Sequence, residues 1–207
     1  MAVITLSRHF GAGGKTLGAM VAKKLGYVFL DDEIIKRVAE KAQSTDWMDA
    51  LEKEFGGKLL PCISGLIPKG RMEMILDDKK GGVDEVISVD ILQQLFLKIA
   101  EEGDAVIVGR GGQYLLRDHK DAFHVLLVAD LEDRVQFMEE RYNLSLKKAL
   151  QVVNRQDKRR QNFYRLLGKV DYDQPDIYHL VLNMSKLSLM KACELLVTLV
   201  SGNVRSP

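Results

Sequence analysis

The sequence predicts an α/β fold in which a five-stranded parallel β-sheet is covered by helices on both faces. Short apolar, partly β-branched runs alternate with longer segments whose apolar residues recur at helical spacing. The short runs are continuously apolar, as expected of strands that are buried on both faces of a parallel sheet. Ligands bind such sheets beyond the carboxyl ends of the strands, so the residues that follow each strand are the first functional candidates.

The regular elements fall into two groups, one on each side of an irregular segment. Before residue 44 the pattern predicts a strand at Ala2–Leu6, a helix from Gly14 to Gly26, a strand at Val28–Leu30 and a helix striped from Ile34 to Ala42. After residue 84 it predicts a helix at Glu85–Glu102, strands at Ala105–Val108 and His124–Val128, helices at Leu131–Tyr142 and Ser145–Leu167, a strand at Leu180–Leu182 and a last helix capped by Ser188.

Residues 44–84 interrupt this alternation with several glycines, two prolines and only short apolar stretches. A long irregular segment inside a compact domain is often a lid or a binding segment. We therefore expect a single domain over residues 1–207 that carries a small insertion at this point.

The composition is that of an ordinary globular protein. The chain has 207 residues, of which 46% are hydrophobic and 29% are charged, and its formal net charge is +1. This charge gives no support for a nucleic acid or a membrane as a partner. No apolar run approaches the roughly 18–20 residues that span a bilayer, and no signal peptide is recognisable. Cys62 and Cys193 lack metal-ligand spacing, so we expect reduced thiols in a cytoplasmic protein.

A glycine-rich segment joins the first strand to the first helix. Gly11, Gly13 and Gly14 allow the backbone to turn its N–H groups toward a phosphate, and the N-terminus of the helix adds a partial positive charge. The sequence therefore predicts a nucleotide-binding loop formed by Gly11, Ala12, Gly13, Gly14, Lys15 and Thr16.

Two side chains of this loop have predicted roles. Lys15 would reach the β- and γ-phosphates of ATP, and the hydroxyl of Thr16 would bind Mg²⁺. The match to the pattern G-x-x-x-x-G-K-[ST] is incomplete, because His9 stands at the position of the first glycine. The alternative is a glycine-rich connection that binds no ligand.

Polar residues also follow the next two strands. Asp31 and Asp32 follow the second strand, where a carboxylate can bind a ribose, a base or a second substrate. Either aspartate can instead cap the following helix, and one can cap while the other binds. Arg110 follows the third strand among glycines, where its guanidinium can bind a phosphate or a carboxylate. A solvated loop arginine is the alternative.

The densest basic cluster lies in the predicted helix at Ser145–Leu167. It comprises Arg155, Lys158, Arg159, Arg160 and Arg165, and Asp157 is the acidic residue within it. Arg155 and Arg159 share a helical face. A movable basic helix that closes over phosphates would explain the cluster, and a solvated helix face is the alternative.

Taken in order, these segments resemble the cytidylate kinase-like family of bacterial proteins, which is related to the nucleoside monophosphate kinases. The residues that carry the resemblance are Ser7–Gly14, Phe29–Asp31, Val106–Gly111, Asp157–Arg160 with Phe163 and Tyr164, and Leu182–Lys186. The resemblance implies a three-layer P-loop NTPase-type fold, an acceptor-binding insertion at residues 44–84 and a lid at residues 145–175. It also implies ATP and Mg²⁺ as cofactors.

The resemblance assigns roles to individual residues as well. It places Lys15 and Thr16 at the donor phosphates and the metal, Asp31 and Arg110 on the acceptor side, and Arg155 and Arg159 in the lid. Cytidylate kinases carry an aspartate near the end of the third strand, where this sequence reads Ile107–Arg110. Asp31 is then the nearest candidate for the carboxylate on the metal side.

Two functions from different classes follow. The first is ATP- and Mg²⁺-dependent phosphoryl transfer to a small acceptor such as CMP, with Lys15, Arg110, Arg155 and Arg159 as catalytic residues. Such transfer depends on in-line placement and charge neutralisation. The second is a nucleotide-binding module that senses without transfer. We expect a nucleotide and a small molecule as partners, without nucleic acid or membrane, and the sequence leaves a homodimer open.

Overall fold

The computed structural model describes residues 2–42, 59–60 and 88–202. The strands are β1 (Val3–Arg8), β2 (Val28–Leu30), β3 (Ala105–Val108), β4 (Ala122–Val128) and β5 (Leu180–Asn183). The helices are α1 (Gly14–Leu25), α2 (Asp32–Ala42), α3 (Val89–Glu102), α4 (Gly112–Leu115), α5 (Leu131–Tyr142), α6 (Leu146–Leu166) and α7 (Leu189–Gly202), with a 3₁₀ turn at Pro175–Ile177.

The five strands form one parallel sheet in the order β2-β3-β1-β4-β5. β1 lies in the centre, between β3 and β4. Because the strands are parallel, the turns that follow β1, β2 and β3 emerge at the same edge of the sheet. The predicted five-stranded parallel α/β fold is confirmed.

Helices cover both faces of the sheet because successive strand residues point to opposite faces. On one face, Val3 of β1 and Ile107 of β3 pack in a cluster with residues of α2 and α3. On the other face, Ile4 and Leu6 of β1 pack in a cluster with residues of α1 and α7. A third, smaller cluster joins α5 to α6.

Several predicted bounds are confirmed. β2, β3 and α5 begin and end as predicted, and α1 ends at Leu25, where Gly26 caps it with φ +71° at the predicted stop position. β1 runs two residues beyond its predicted end, because Ser7 and Arg8 continue the pairing with β4. α4 was not predicted; it is a single turn that begins among glycines.

The predicted insertion at residues 44–84 lies outside the described residues, apart from Leu59 and Leu60. These two leucines are buried, and their backbone N–H groups donate to the carboxylate of Glu102 at the end of α3, at 2.6 and 2.8 Å. None of the described helices combines the length and the hydropathy that crossing a bilayer requires.

Candidate functional site

A cavity of about 440 Å³ lies at the carboxyl ends of β1, β2 and β3. The loop after β1, the start of α2, the turn after β3, and helices α5 and α6 contribute its walls. Its lining includes five cationic side chains, two carboxylates and a group of aromatic residues. The lining residues are Arg8, Phe10, Gly11, Gly13, Gly14, Lys15, Thr16, Asp32, Glu33, Lys36, Arg37, Arg110, Phe137, Met138, Tyr142 and Gln156.

The glycine loop has the backbone conformation that the sequence predicts for a phosphate cradle. Gly11 has φ +87° and Gly13 has φ +77°, in the left-handed region that favours glycine. A Cβ on Gly11 would lie 2.8 Å from the carbonyl oxygen of Arg134, so a side chain is excluded there. The N-terminus of α1 has no side-chain cap and no acidic residue in its first turn. Its N–H groups are therefore suited to an anion that lies in the cavity.

Lys15 forms an ion pair at the edge of this loop. Its Nζ lies 2.7 Å from Oδ2 of Asp31, and the lysine side chain is 30% exposed. The other oxygen of Asp31 accepts the backbone N–H groups of Glu33 and Ile34 at 3.1 and 3.0 Å. Asp31 therefore caps α2, one of the two roles that the sequence left open. It is not among the lining residues, and its substrate-binding role stays a prediction.

Asp32 is the aspartate that lines the cavity. Its carboxylate pairs with the guanidinium of Arg8, and Nε of Arg110 lies 3.6 Å from its Oδ1. Burial alone would raise the pKa of Asp32, but the charges of Arg8, Arg110 and Lys15 outweigh this effect and hold the pKa below its ordinary value. The side chain is therefore a carboxylate at neutral pH.

The turn after β3 allows these charges to meet. Gly109, Arg110 and Gly111 have φ values of +89°, +54° and +71°. A Cβ on Gly109 would clash with the guanidinium of Arg8 and the carboxylate of Asp32. A left-handed arginine between two left-handed glycines is a strained conformation of the kind that is concentrated at functional sites.

One wall of the cavity is less polar. Phe10 of the glycine loop, Phe137, Met138 and Tyr142 of α5, and Gln156 of α6 contribute to it. Phe10, Phe137 and Tyr142 also pack against the apolar cluster that joins α5 to α6. The cavity thus combines a charged wall beside the sheet with an aromatic wall beside α5.

The chain matches the sequence model of the cytidylate kinase-like family over residues 3–186. It belongs to this family. The match confirms the resemblance predicted from the sequence, and membership supports nucleotide-dependent phosphoryl transfer as the class of activity. A search of the curated proteins finds no match.

Solved structures resemble this family member along nearly its whole length. An uncharacterized protein from Eubacterium ventriosum ATCC 27560 is 19% identical with a TM-score of 0.69, covering 98% of this chain and 99% of that chain, and it shares the fold. A shikimate kinase from Acinetobacter baumannii in complex with shikimate is 18% identical with a TM-score of 0.49, covering 99% and 96%. A gluconokinase from Sinorhizobium meliloti 1021 is 12% identical with a TM-score of 0.49, covering 99% and 98%.

In this cytidylate kinase-like protein, the basic residues of α6 point in different directions according to their position around the helix. Arg155 is exposed and Arg159 is half-buried, and neither lines the cavity, whereas Gln156 does. Arg160 turns inward instead. It pairs with Asp173 through two hydrogen bonds of 2.6 and 2.5 Å, and each side chain of this pair is 14% exposed.

Further partners enclose the Arg160–Asp173 pair. Arg160 donates to Oγ of Ser7 at 2.9 Å and lies over the rings of Tyr164 and Tyr172, at 4.7 and 5.4 Å from their centroids. The hydroxyl of Tyr178 donates to Asp173 at 3.0 Å. Burial lowers the pKa of Arg160, but hydrogen bonding to Asp173 outweighs it and raises that pKa above its ordinary value. Arg160 is a fixed cation in the body of the protein.

Sequence reasoning gave no role to several residues that the structure brings into the cavity. Arg8 lies at the end of β1, beyond the apolar run from which the strand was predicted. Lys36 and Arg37 lie on α2, with Lys36 one helical turn after Asp32. This i, i+4 spacing beside a strand end is a sequence signal that could have found Lys36.

Proposed function

We propose that the protein transfers the γ-phosphoryl group of ATP to a small acceptor, with a nucleoside monophosphate such as CMP as the first candidate. The observation that carries this proposal is the joint placement, on one cavity, of the glycine loop with its uncapped helix N-terminus and the cations Arg8, Lys15 and Arg110. Phosphoryl transfer needs positioning and charge neutralisation more than covalent chemistry, and this lining supplies both.

The donor phosphates would bind along Gly11–Thr16. The glycine conformations leave the loop free of side chains where a phosphate would lie, and α1 directs its first N–H groups to the same place. The ion pair between Lys15 and Asp31 is partly exposed, so the phosphates of ATP can compete for Lys15. Asp31 would then keep its capping bonds to α2.

The residues present also fit Mg²⁺. Magnesium takes one or two protein oxygens together with phosphate oxygens and waters. Thr16 would supply its hydroxyl as predicted, and Asp32 lines the same cavity as a carboxylate. The ion would supply charge neutralisation at the phosphates.

The acceptor would bind between the charged wall and α2. Arg8 and Arg110 would bind its anionic group, as guanidinium groups bind phosphates by paired hydrogen bonds. Asp32 would accept a hydrogen bond from a ribose hydroxyl of the nucleotide acceptor, whose attacking atom is a phosphate oxygen, with ADP as the leaving group. Because the pKa of Asp32 is lowered, this carboxylate stays ionised and keeps that hydrogen bond.

The aromatic wall fits the base of a nucleotide. Phe10, Phe137 and Tyr142 line the cavity, and an aromatic base can stack on side chains of this kind. The amide of Gln156 on the same side can both donate and accept hydrogen bonds. These features support a nucleotide over a phosphorylated ligand without a ring.

The lid at residues 145–175 is part of the proposal. Arg155 and Arg159 would neutralise charge on the transferred group through a change of their side-chain conformations, because Arg160 anchors α6 to Ser7 and Asp173. Closure would also exclude water and so limit hydrolysis of ATP. The acceptor-binding role of residues 44–84 is likewise proposed.

The test compares Lys15→Ala with Lys23→Ala, an exposed lysine near the end of the same helix. Both variants are assayed for ATP consumption with a panel of nucleoside monophosphates and small hydroxy acids. We expect the Lys15 variant to lose about 100-fold or more in transfer rate, as when one transition-state donor is removed. Lys23→Ala should match the parent protein. An unchanged transfer rate in Lys15→Ala would contradict the role proposed for Lys15.

A nucleotide-binding sensor is the second candidate. It is favoured by His9 at the position of the first glycine and by the turn Gly109–Gly111, which supplies arginine after β3 in place of a carboxylate. Isothermal titration would then show ATP binding while every acceptor in the panel stays unphosphorylated. Turnover of any acceptor would reject this alternative.

A further inference from the structure

Asp157 is the acidic residue within the basic stretch from Arg155 to Arg160, and the proposed transfer gives it no role. Its position on α6 is four residues after the buried Val153 and three before the inward-facing Arg160. Asp157 therefore lies on the face of α6 that packs against the protein.

The carboxylate of Asp157 joins α6 to both α5 and the glycine loop. Its Oδ2 accepts a hydrogen bond from Nη1 of Arg134 at 2.7 Å, and its Oδ1 lies 3.4 Å from the backbone nitrogen of Phe10. Nη1 of Arg134 also donates to the carbonyl oxygen of Phe10 at 3.1 Å. The three residues form a closed ring of hydrogen bonds around the backbone of Phe10.

The burial of Arg134 strengthens its hydrogen bonds in this ring. The side chain of Arg134 is 10% exposed and that of Asp157 is 37% exposed. A buried guanidinium is stabilised only while its partners are in place, and a charged hydrogen bond is stronger there than in water. In the described part of the chain, Nε of Arg134 has no hydrogen-bond partner. Asp157 and the carbonyl of Phe10 are therefore the groups on which Arg134 depends.

The ring acts at the point where the glycine loop turns. Phe10 directly precedes Gly11, whose left-handed backbone packs against the carbonyl oxygen of Arg134. The orientation of the Phe10 backbone therefore sets where Gly11 and the following N–H groups point. A small rotation of the Phe10 backbone would therefore change the directions of the N–H groups that follow it in the loop.

We propose that Asp157 and Arg134 are positioning residues that hold the glycine loop in its phosphate-accepting conformation. The proposal rests on the proposed function only in that the loop binds a nucleotide. It also makes α6 a supporting element of the loop, joined to it through one carboxylate.

The test uses Asp157→Asn, Arg134→Lys and the double variant. Asparagine keeps the size of Asp157 but replaces one carboxylate oxygen with an NH2 group, which would face an N–H donor of Phe10 or Arg134 and lose that hydrogen bond. Lysine keeps the charge of Arg134 without the fork of N–H donors. Asp133→Asn is the matched control, because it removes the same charge from an exposed residue beside Arg134.

Binding of a non-hydrolysable ATP analogue with Mg²⁺ is measured by isothermal titration. We expect each single variant to raise Kd about tenfold, the effect of losing one charge-assisted hydrogen bond. The double variant should have about the same Kd as the single variant that binds less tightly, because both residues act in one ring. An additive double variant, or Asp157→Asn with the affinity of the parent protein, would overturn the proposal.

Amide hydrogen exchange of residues 9–13 without nucleotide separates this proposal from the proposed function. We expect faster exchange in Asp157→Asn and parent-like exchange in Asp133→Asn. If the parent protein does not bind the analogue, the proposed function fails, and the exchange comparison still decides whether Asp157 fixes the loop. Equal exchange in the parent and in Asp157→Asn would reject the positioning role whatever the titration shows.

Discussion

Two of the arginine–aspartate sites near the carboxyl edge of the sheet differ in what surrounds the charges. In the first, Arg8 and Arg110 meet Asp32 on a cavity of about 440 Å³. In the second, Arg160 meets Asp173, and tyrosine rings and hydroxyl groups of the protein occupy the space around the pair.

The difference shows how the same pair of residue types can serve a ligand or the fold. Asp173 accepts from both terminal nitrogens of Arg160 and from Tyr178, so the protein itself fills its hydrogen-bonding positions. Asp32 is 32% exposed and borders open space, so a ligand can reach it. Closure around the charges, more than the charges themselves, separates a structural pair from a binding pair.

The largest expected effect on stability comes from breaking the enclosed pair of Arg160 and Asp173. Arg160→Met leaves the Asp173 carboxylate buried without its cation, which should lower the free energy of unfolding by about 3–5 kcal/mol. Arg8→Met should lower it by much less, because Arg110 still neutralises Asp32 and solvent reaches the site. Urea denaturation followed by circular dichroism measures both variants. Equal losses would remove the distinction between the two sites.

The buried side chain of His124, which belongs to neither pair, should make the stability of the protein depend on pH. His124 is 2% exposed, and in the described part of the chain its Nε2 has no hydrogen-bond partner. Burial and the nearby His179 lower the pKa of His124 from 6.5 to about 4. The unfolded chain therefore binds a proton that the folded protein does not bind between these values.

The free energy of unfolding should consequently fall as pH drops from 6.5 toward 4, by roughly 3 kcal/mol at the lower end. Asp32 should contribute little in this range, because a lowered pKa costs stability only as pH falls through and below the ordinary aspartate value of 3.8. Urea denaturation at several pH values, with His124→Asn as reference, measures the difference. If the difference in the free energy of unfolding between the parent protein and His124→Asn does not change with pH, His124 is not the cause of the pH dependence.

A smaller effect contrasts a crowded left-handed glycine with an open one. Gly11→Ala and Gly26→Ala both place a side chain at positive φ, which destabilises a residue by about 1–2 kcal/mol. At Gly11 the new Cβ also meets the carbonyl oxygen of Arg134 at 2.8 Å, whereas at Gly26 nothing lies within 4 Å. Gly11→Ala should therefore be less stable and should weaken binding of an ATP analogue. Gly26→Ala should bind like the parent protein, as measured by titration and thermal unfolding.

The smallest effect separates the two roles of Asp31. Asp31→Asn keeps an oxygen for the N–H groups of Glu33 and Ile34 and loses the charge that pairs with Lys15. Asp31→Ala loses both. We expect the alanine variant to be less stable than the asparagine variant by about 1 kcal/mol, the usual worth of a helix cap. Thermal unfolding of the pair measures this difference, and identical midpoints would show that the cap contributes nothing.

The sequence predicted those parts of the molecule that local patterns determine. β2, β3 and α5 were predicted at their observed bounds; for β2 and β3 this is because the apolar runs end sharply at Leu30 and Val108. Ser7 and Arg8 were missed as part of β1 because their inclusion depends on pairing with β4, which is not a local property. α4 was missed because one turn among glycines has no helical period.

For the candidate site, the loop was predictable and the choice between neighbouring residues was harder. Nothing local distinguishes Asp31 from Asp32; the start of α2 decides which one caps and which one lines the cavity. The choice among the arginines of α6 could have been improved, because Arg160 is four residues before the buried Tyr164. The same phase places Asp157 inward.

The turn at Gly109–Gly111 has a consequence for redesign. Its three consecutive left-handed residues tolerate few substitutions, and Gly109 has no room for a side chain beside Arg8 and Asp32. Lys36 and Arg37 line the same cavity from a regular helix, whose backbone accepts almost any residue except proline and glycine. A library that aims to change which small molecule the cavity binds should therefore vary α2 and leave the turn after β3 untouched.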